Sequence, residues 1–159
     1  MLDKKILMLL SKRKAPFELT VDGISMLPIL QPEDKIVVCP QEEYVVGDIL
    51  VFYYKNDDLL VHRFLQTRNG RLLCKGDNSF RIEDILPDQI IGAVQLENDP
   101  NRTEDFIGAS LQINKIFRTC GYNSDLVRQH PEYIEYKNKY IEVPNNEQDA
   151  RSNNLLHKY

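Results

Sequence analysis

Three cysteines, Cys39, Cys74 and Cys120, are all that a chain of 159 residues contains, and they stand far apart with no Cys-x-x-Cys or His-x-Cys spacing. An odd, scattered set excludes a disulfide framework and offers no zinc ligands, so a reducing, cytoplasmic setting without metal or cofactor is expected. Positive charge is also in short supply, with a formal net charge of −4 and basic residues spread through the sequence. Without a basic patch there is no electrostatic footprint for nucleic acid, which is excluded as an expected partner. Long apolar runs are missing as well. The N-terminal run Ile6-Leu7-Met8-Leu9-Leu10 is about a quarter of the ~20 residues that a membrane span requires. Ser-Lys-Arg-Lys follows it, with no cleavage-site pattern. Lys4, Lys5, Lys12, Arg13 and Lys14 flank the run, so two readings stand: a short helix packed on its own domain, which is favoured, and a peripheral contact with a membrane surface. No internal repeat and no low-complexity run is present.

What is there suits one domain with a small appendage, since a chain of this length can bury roughly 70% of its unfolded surface. The boundaries are expected at residues 1–16 for an N-terminal extension, 17–97 for a β-domain, 98–142 for a helical segment and 143–159 for a frayed polar tail. Within the β-domain, Phe17-Glu18-Leu19-Thr20-Val21 opens as a strand. Residues 34–39, 49–54, 59–65 and 71–75 follow as four β-favouring runs, read as a meander whose tightest turn is Asn69-Gly70. Residues 82–88 read as irregular or as one helical turn, and residues 89–96 as a last strand. Beyond the polar cluster at 97–101, Thr103 suits a helix N-terminus, the apolar stripe from Phe106 to Phe117 a helix ending at Gly121, and residues 124–139 a second helix.

Chemistry-bearing residues gather at strand ends, where sites tend to lie. Val21-Asp22-Gly23-Ile24-Ser25-Met26-Leu27-Pro28 places a serine one step past a bend, with Pro28 preventing an ordinary helix from starting there. Ser25 reads either as a nucleophile or as a residue capping its own turn. His62 in Leu-Val-His-Arg-Phe reads either as a base or as a half-buried structural residue. A neutral imidazole, with its ordinary pKa of ~6.5, suits the base role near neutral pH. Arg63 must point to the opposite side of the strand, because side chains alternate, and it is expected to pair with Asp48 or Asp84. Lys75 is the fallback base.

In order, Gly-Ile-Ser-Met-Leu-Pro, Gly-Asp-Ile-Leu-Val-Phe, Val-His-Arg-Phe, Cys-Lys-Gly-Asp-Asn-Ser with Asp84 behind it, and Ile-Ile-Gly-Ala-Val resemble the signal peptidase I family over residues 17–94. Bacterial members, like the LexA-type self-cleaving repressors, carry a lysine base where this chain has His62. The archaeal and endoplasmic-reticulum branch carries histidine there, and this chain is similar to that branch. The resemblance implies a mainly β, signal-peptidase- or LexA-like domain with a C-terminal helical appendage. It also implies a serine endopeptidase that removes a leader or signal-like segment from a peptide or precursor protein bound as an extended strand.

Three departures from the family pattern are visible. The family's membrane-spanning segment has no counterpart ahead of the serine, so an unanchored protein is expected. Glu33-Asp34 replaces the usual Gly-Asp, and Gly23 stands where some members have a serine that helps bind the oxyanion. The expected catalytic set is Ser25, His62, Asp77 and Asp84, with Gly23, Ile24, Met26 and Pro28 around the oxyanion and substrate. Of the two acids Asp77 is favoured as the partner of His62, so that Asp77→Asn would slow turnover with little change in stability. Its alternative is capping its own turn, and for Asp84 the alternatives are starting a helical turn or pairing with Arg63. A non-catalytic peptide-binding module and a self-cleaving repressor fragment are the competing functions. The second would want a DNA-binding helix-turn-helix upstream, and only residues 1–16 precede the first strand.

Overall fold

Runs of β-branched and aromatic residues become strands where turn-forming residues bracket them. The computed structural model describes residues 3–142. Its strands are β1 (Phe17–Thr20), β2 (Lys35–Cys39), β3 (Ile49–Tyr53), β4 (Leu59–Arg68), β5 (Arg71–Lys75), β6 (Ile82–Ile85) and β7 (Ile90–Val94). They form one sheet in the order β1-β2-β7-β3-β4-β5-β6, antiparallel at every step. The fold is mainly antiparallel β with C-terminal helices, as expected. Asn69 (φ 53°) and Gly70 (φ 76°) take the left-handed conformations that a tight β4–β5 hairpin requires.

Two strand expectations need correcting. The meander holds for β3, β4 and β5, but β2 does not join it, because β7 lies between β2 and β3 with Ala93 opposite both Cys39 and Leu50. The cause is burial. Strand β3 is buried at all five positions and so needs apolar neighbours on both edges. Ile90–Val94 is nearly as buried and supplies one, whereas β2 alternates between exposed and buried positions and suits a place nearer the edge. The second correction is β6. Two acids in four residues carry little strand propensity, yet Ile82–Ile85 pairs along β5 and buries Glu83 and Ile85 on one side.

Around the sheet, α1 (Lys4–Lys12) is capped by the Asp3 carboxylate and buries Leu7 in the core, and the Ser11 hydroxyl donates to the Ile91 carbonyl at 2.8 Å. This is the packed short helix favoured from the sequence. Helix α2 (Glu104–Thr119) starts at Thr103, whose hydroxyl accepts from the Phe106 N–H at 3.1 Å. The expected second helix is split into α3 (Ser124–Gln129) and α4 (Pro131–Tyr136), followed by a π-helical turn at Lys137–Ile141. Pro131 has no N–H and forces His130 into an extended conformation, so one helix ends and another begins. The expected polar tail, 143–159, lies outside the described residues.

The sheet has two apolar faces. Ile49, Val51 and Tyr53 pack on one with Leu7, Met26 and Leu30, and Leu50 and Phe52 pack on the other with Phe64, Cys74 and Ile85. A third cluster joins α2, α3 and α4 through Phe106, Phe117, Val127, Tyr133 and Tyr136. Among the described residues, no helix is long and apolar enough to cross a membrane.

Candidate active site

The segment after β1 is closed into a loop by two main-chain bonds, Val21 N–H to the Asp34 carbonyl (2.8 Å) and Glu33 N–H to the Val21 carbonyl (2.9 Å). Glu33 closes it with φ 74°, a left-handed conformation that glycine adopts more readily. Gly23 (φ 80°) makes the bend before the serine and has open space where a side chain would be. Ser25 is therefore presented half-buried at the end of the sheet, and its main-chain N–H and that of Met26 meet no acceptor among the described residues.

His62 stands on β4 directly opposite Leu50, 7% exposed, with the Phe52 ring against its edge. Its Nε2 lies 3.0 Å from the Ser25 Oγ, and its Nδ1 lies 2.5 Å from a carboxylate oxygen of Glu83, which is 5% exposed. An Nδ1–H donated to Glu83 leaves Nε2 as the acceptor for the serine proton. The three side chains form a continuous hydrogen-bonded line.

Strand register explains why Glu83, and neither Asp77 nor Asp84, meets the histidine. Side chains alternate along β4, so Phe64 shares the His62 face and Arg63 takes the other. Phe64 is opposite Cys74 on β5, and Cys74 is opposite Glu83 on β6, which carries the His62 face across to Glu83. Arg63 is opposite Lys75, and two residues beyond Lys75 comes Asp77. Asp77 therefore belongs to the far face. There it is fully buried and takes two bonds from Arg63, Nε to Oδ1 at 2.9 Å and Nη2 to Oδ2 at 2.8 Å, with Asn101 adding a third at 3.2 Å. Asp84 points outward to Arg71 at 2.5 Å. The expected Asp77–His62 pair is corrected to Glu83–His62, and Asp77 pairs with Arg63 instead.

Arg63 does point away from the serine as expected, but its partners differ. Besides Asp77 it binds Asp99 (2.7 and 3.0 Å) and the Gly47 carbonyl (2.8 Å), while Asp48 pairs with Arg102. Burial alone would lower the affinity of Arg63 for its proton, and the Asp77 and Asp99 carboxylates more than reverse that, leaving it a permanent cation. Lys75, the fallback base, is fully buried on the Arg63 face and donates to the Gly76 carbonyl (3.0 Å) and the Ser110 hydroxyl (2.8 Å). It is bonded into the far face and makes no hydrogen bond to Ser25 among the described residues.

The remaining expected contacts divide in the same way. Ile24 is 59% exposed beside the serine, free to meet a ligand. Met26 is 2% exposed and turns its sulfur inward to accept from the Asp77 N–H at 3.4 Å, and Pro28 is buried behind a cis Leu27–Pro28 bond. Neither side chain lines a substrate surface, which leaves only main-chain N–H groups for an oxyanion.

The turn at residues 76–79 locks the serine from behind. The Asn78 N–H donates to the Ser25 carbonyl at 2.8 Å and the Asn78 side-chain amide to the Ile24 carbonyl at 3.1 Å. Gly76 is required here, since a Cβ would sit 2.6 Å from the Ser25 carbonyl oxygen and 2.7 Å from the Ser79 hydroxyl.

Comparison with curated proteins and with solved structures gives no match. A family model described as Peptidase S24-like spans residues 1–95, a stretch that runs from α1 through all seven strands, includes Ser25, His62 and Glu83, and stops before the helices, so the chain belongs to the Peptidase S24-like family.

Proposed function

We propose that the protein is a serine endopeptidase in which Ser25 is the nucleophile, His62 the general base and Glu83 the group that holds and stabilises His62. The observation that carries this reading is the line Ser25 Oγ, His62 Nε2, His62 Nδ1, Glu83 Oε1, with separations of 3.0 and 2.5 Å across its two contacts. His62 takes the hydroxyl proton as Oγ bonds to the scissile carbonyl carbon. The carbonyl oxygen becomes an oxyanion facing the free N–H groups of Ser25 and Met26. His62 then passes its proton to the leaving amine as the C–N bond breaks, and repeats the cycle with water to release the acyl group. General-base catalysis of this kind contributes about 10² to 10⁴ in rate. Each oxyanion donor adds about 3 kcal/mol.

The substrate is a leader or signal-like segment of a peptide or precursor protein, bound as an extended strand. An unfilled edge supports this: β5 pairs with β4 only from Arg63 onward, so Leu59, Leu60, Val61 and His62 face no strand on that side among the described residues. A peptide adding there gains main-chain bonds and reaches the serine. Ile6 (48% exposed) and Leu9 (50%) lie among the basic residues of α1, which suits precursors presented at an anionic membrane surface.

The histidine supports the archaeal and endoplasmic-reticulum type of signal-peptidase chemistry over the lysine type. Family membership is equally compatible with cleavage of the chain's own flanking segment. Both are tested by incubating the protein with a proteome-derived peptide library and mapping new termini by mass spectrometry. The expected result is a defined set of cuts that Ser25→Ala abolishes while its melting temperature stays within a degree or two of wild type. Cuts that persist in Ser25→Ala refute the reading. Concentration-independent shortening of the protein itself, with no library cleavage, favours self-processing.

A further inference from the structure

The family match ends at residue 95, yet the turn that holds the serine is also anchored by residues beyond it. The Tyr136 hydroxyl donates to the Asp77 carbonyl, and Ser110 accepts from Lys75 at 2.8 Å. The Asn114 amide donates to the Phe80 carbonyl at 2.9 Å. Every acceptor or donor on the sheet side belongs to residues 75–80, the stretch whose Asn78 N–H fixes the Ser25 carbonyl. A buried lysine is costly unless its donors are used, and an apolar side chain would fill the same space more cheaply. Among the described residues, Lys75 meets no carboxylate within bonding distance; both of its bonds go to neutral acceptors, one on the turn that holds Ser25 and one on α2. Its Nζ also sits 5.5 Å from the centre of the Tyr136 ring, a further contact on the helical side. These are the features of a strut between two parts rather than of an ion pair within one.

We propose that α2 and α4 form a positioning brace for the nucleophile, in which Lys75, Ser110 and Tyr136 fix the turn at 76–79 and thereby the Ser25 peptide. The catalytic consequence rests on the peptidase reading, whereas the mechanical one does not. Displacement of a reacting group by about 1 Å costs on the order of 10² in rate. Loss of one strut therefore lowers kcat about tenfold and leaves KM unchanged, because the strand-binding edge of β4 lies outside the brace.

The test uses Tyr136→Phe, which removes one hydroxyl and keeps the ring packing, and Ser110→Ala as a second variant in case the first unfolds. Amide hydrogen exchange is read at Asn78 and, as a reference inside the sheet, at Val51. The expected result is at least tenfold faster exchange at Asn78 with Val51 unchanged, together with a tenfold fall in kcat at constant KM on a peptide that the wild type cleaves and Ser25→Ala does not. Wild-type protection at Asn78 in both variants overturns the brace, whatever turnover does. Faster exchange at Asn78 in a protein that cleaves nothing upholds the brace and overturns the peptidase reading alone.

Discussion

Lys75 makes the stability of this protein depend on pH in a direction opposite to ordinary alkaline denaturation. Burial, the largest influence, together with the Arg63 charge, lowers its pKa from 10.5 to about 7, and the Asp77 and Glu83 charges recover only part of the loss. Between those two values the unfolded chain keeps a proton that the folded protein has released. Stability therefore rises with pH through that window, with a slope of up to about 1.4 kcal/mol per pH unit. As pH falls toward 7 the gain is lost, and below 7 both states are protonated and the slope vanishes. Two groups act in the opposite sense. Burial pushes the Cys74 thiol well above its usual 9.0 and the Tyr136 phenol well above its usual 10.0, so the folded protein holds protons there that the unfolded chain gives up. The Cys74 slope cancels that of Lys75 above pH 9, and Tyr136 turns the curve down above pH 10. The expected profile climbs by about 2–3 kcal/mol from pH 7 to pH 9, flattens, then falls. Urea midpoints for wild type and Lys75→Met across pH 6–11 measure it, and their difference removes every other titrating group. Parallel curves from pH 7 to pH 9 would mean that Lys75 keeps its proton in the fold and that the argument from burial is wrong.

Glu83→Gln should reduce kcat roughly 10³-fold, because two unit charges about 4 Å apart interact by about 4 kcal/mol at an effective dielectric of ~20. Wild-type turnover in this variant would remove Glu83 from the mechanism. Asp77→Asn strands the buried Arg63 and should lower stability by about 3–5 kcal/mol, whereas Asp84→Asn loses a surface pair worth at most about 1 kcal/mol and leaves turnover intact. Thermal and urea unfolding with a kcat measurement on each separates the two, and the opposite ranking would restore Asp84 to the site. Glu33→Gly should stabilise the serine loop by about 0.5–1 kcal/mol, since a non-glycine residue at φ 74° carries about 1–2 kcal/mol of strain and glycine returns part of that as chain entropy. A lowered urea midpoint would show that Glu33 makes a compensating contact.

Motifs that act locally were legible in the sequence. Gly23 and Ser25 declare their bend within a few residues, Asn69-Gly70 its hairpin, Thr103 its cap, and the alternation along β4 sends Arg63 away from the serine without any knowledge of its partners. Relations that depend on pairing were not. Leaving Ile82–Ile85 out of the sheet hid the strand that carries Glu83, and Asp77 then seemed the nearest acid because it follows β5 directly. A strand with Ile85 turned inward buries Glu83 and exposes Asp84, which is the signal that would have found the right carboxylate.

The same alternation separates the proposed catalytic line from its support. His62 and Arg63 are neighbours in the chain, but one residue of strand turns them to opposite faces, and each face is completed by different parts of the sequence. The His62 face closes within the family match, through Phe64, Cys74 and Glu83. The Arg63 face closes only with Asp99, Ser110 and Tyr136, which lie beyond it. A single sheet thus carries two polar systems that share no side-chain hydrogen bond among the described residues and are linked through the turn holding Ser25 and through the Glu83 charge felt at Lys75. Variants on the Arg63 face should therefore act on kcat through the position of the serine peptide, whereas Glu83 acts on it through the charge of the imidazole. Only a change at Glu83 should alter the dependence of turnover on pH, and Tyr136→Phe should lower the whole pH profile without moving it.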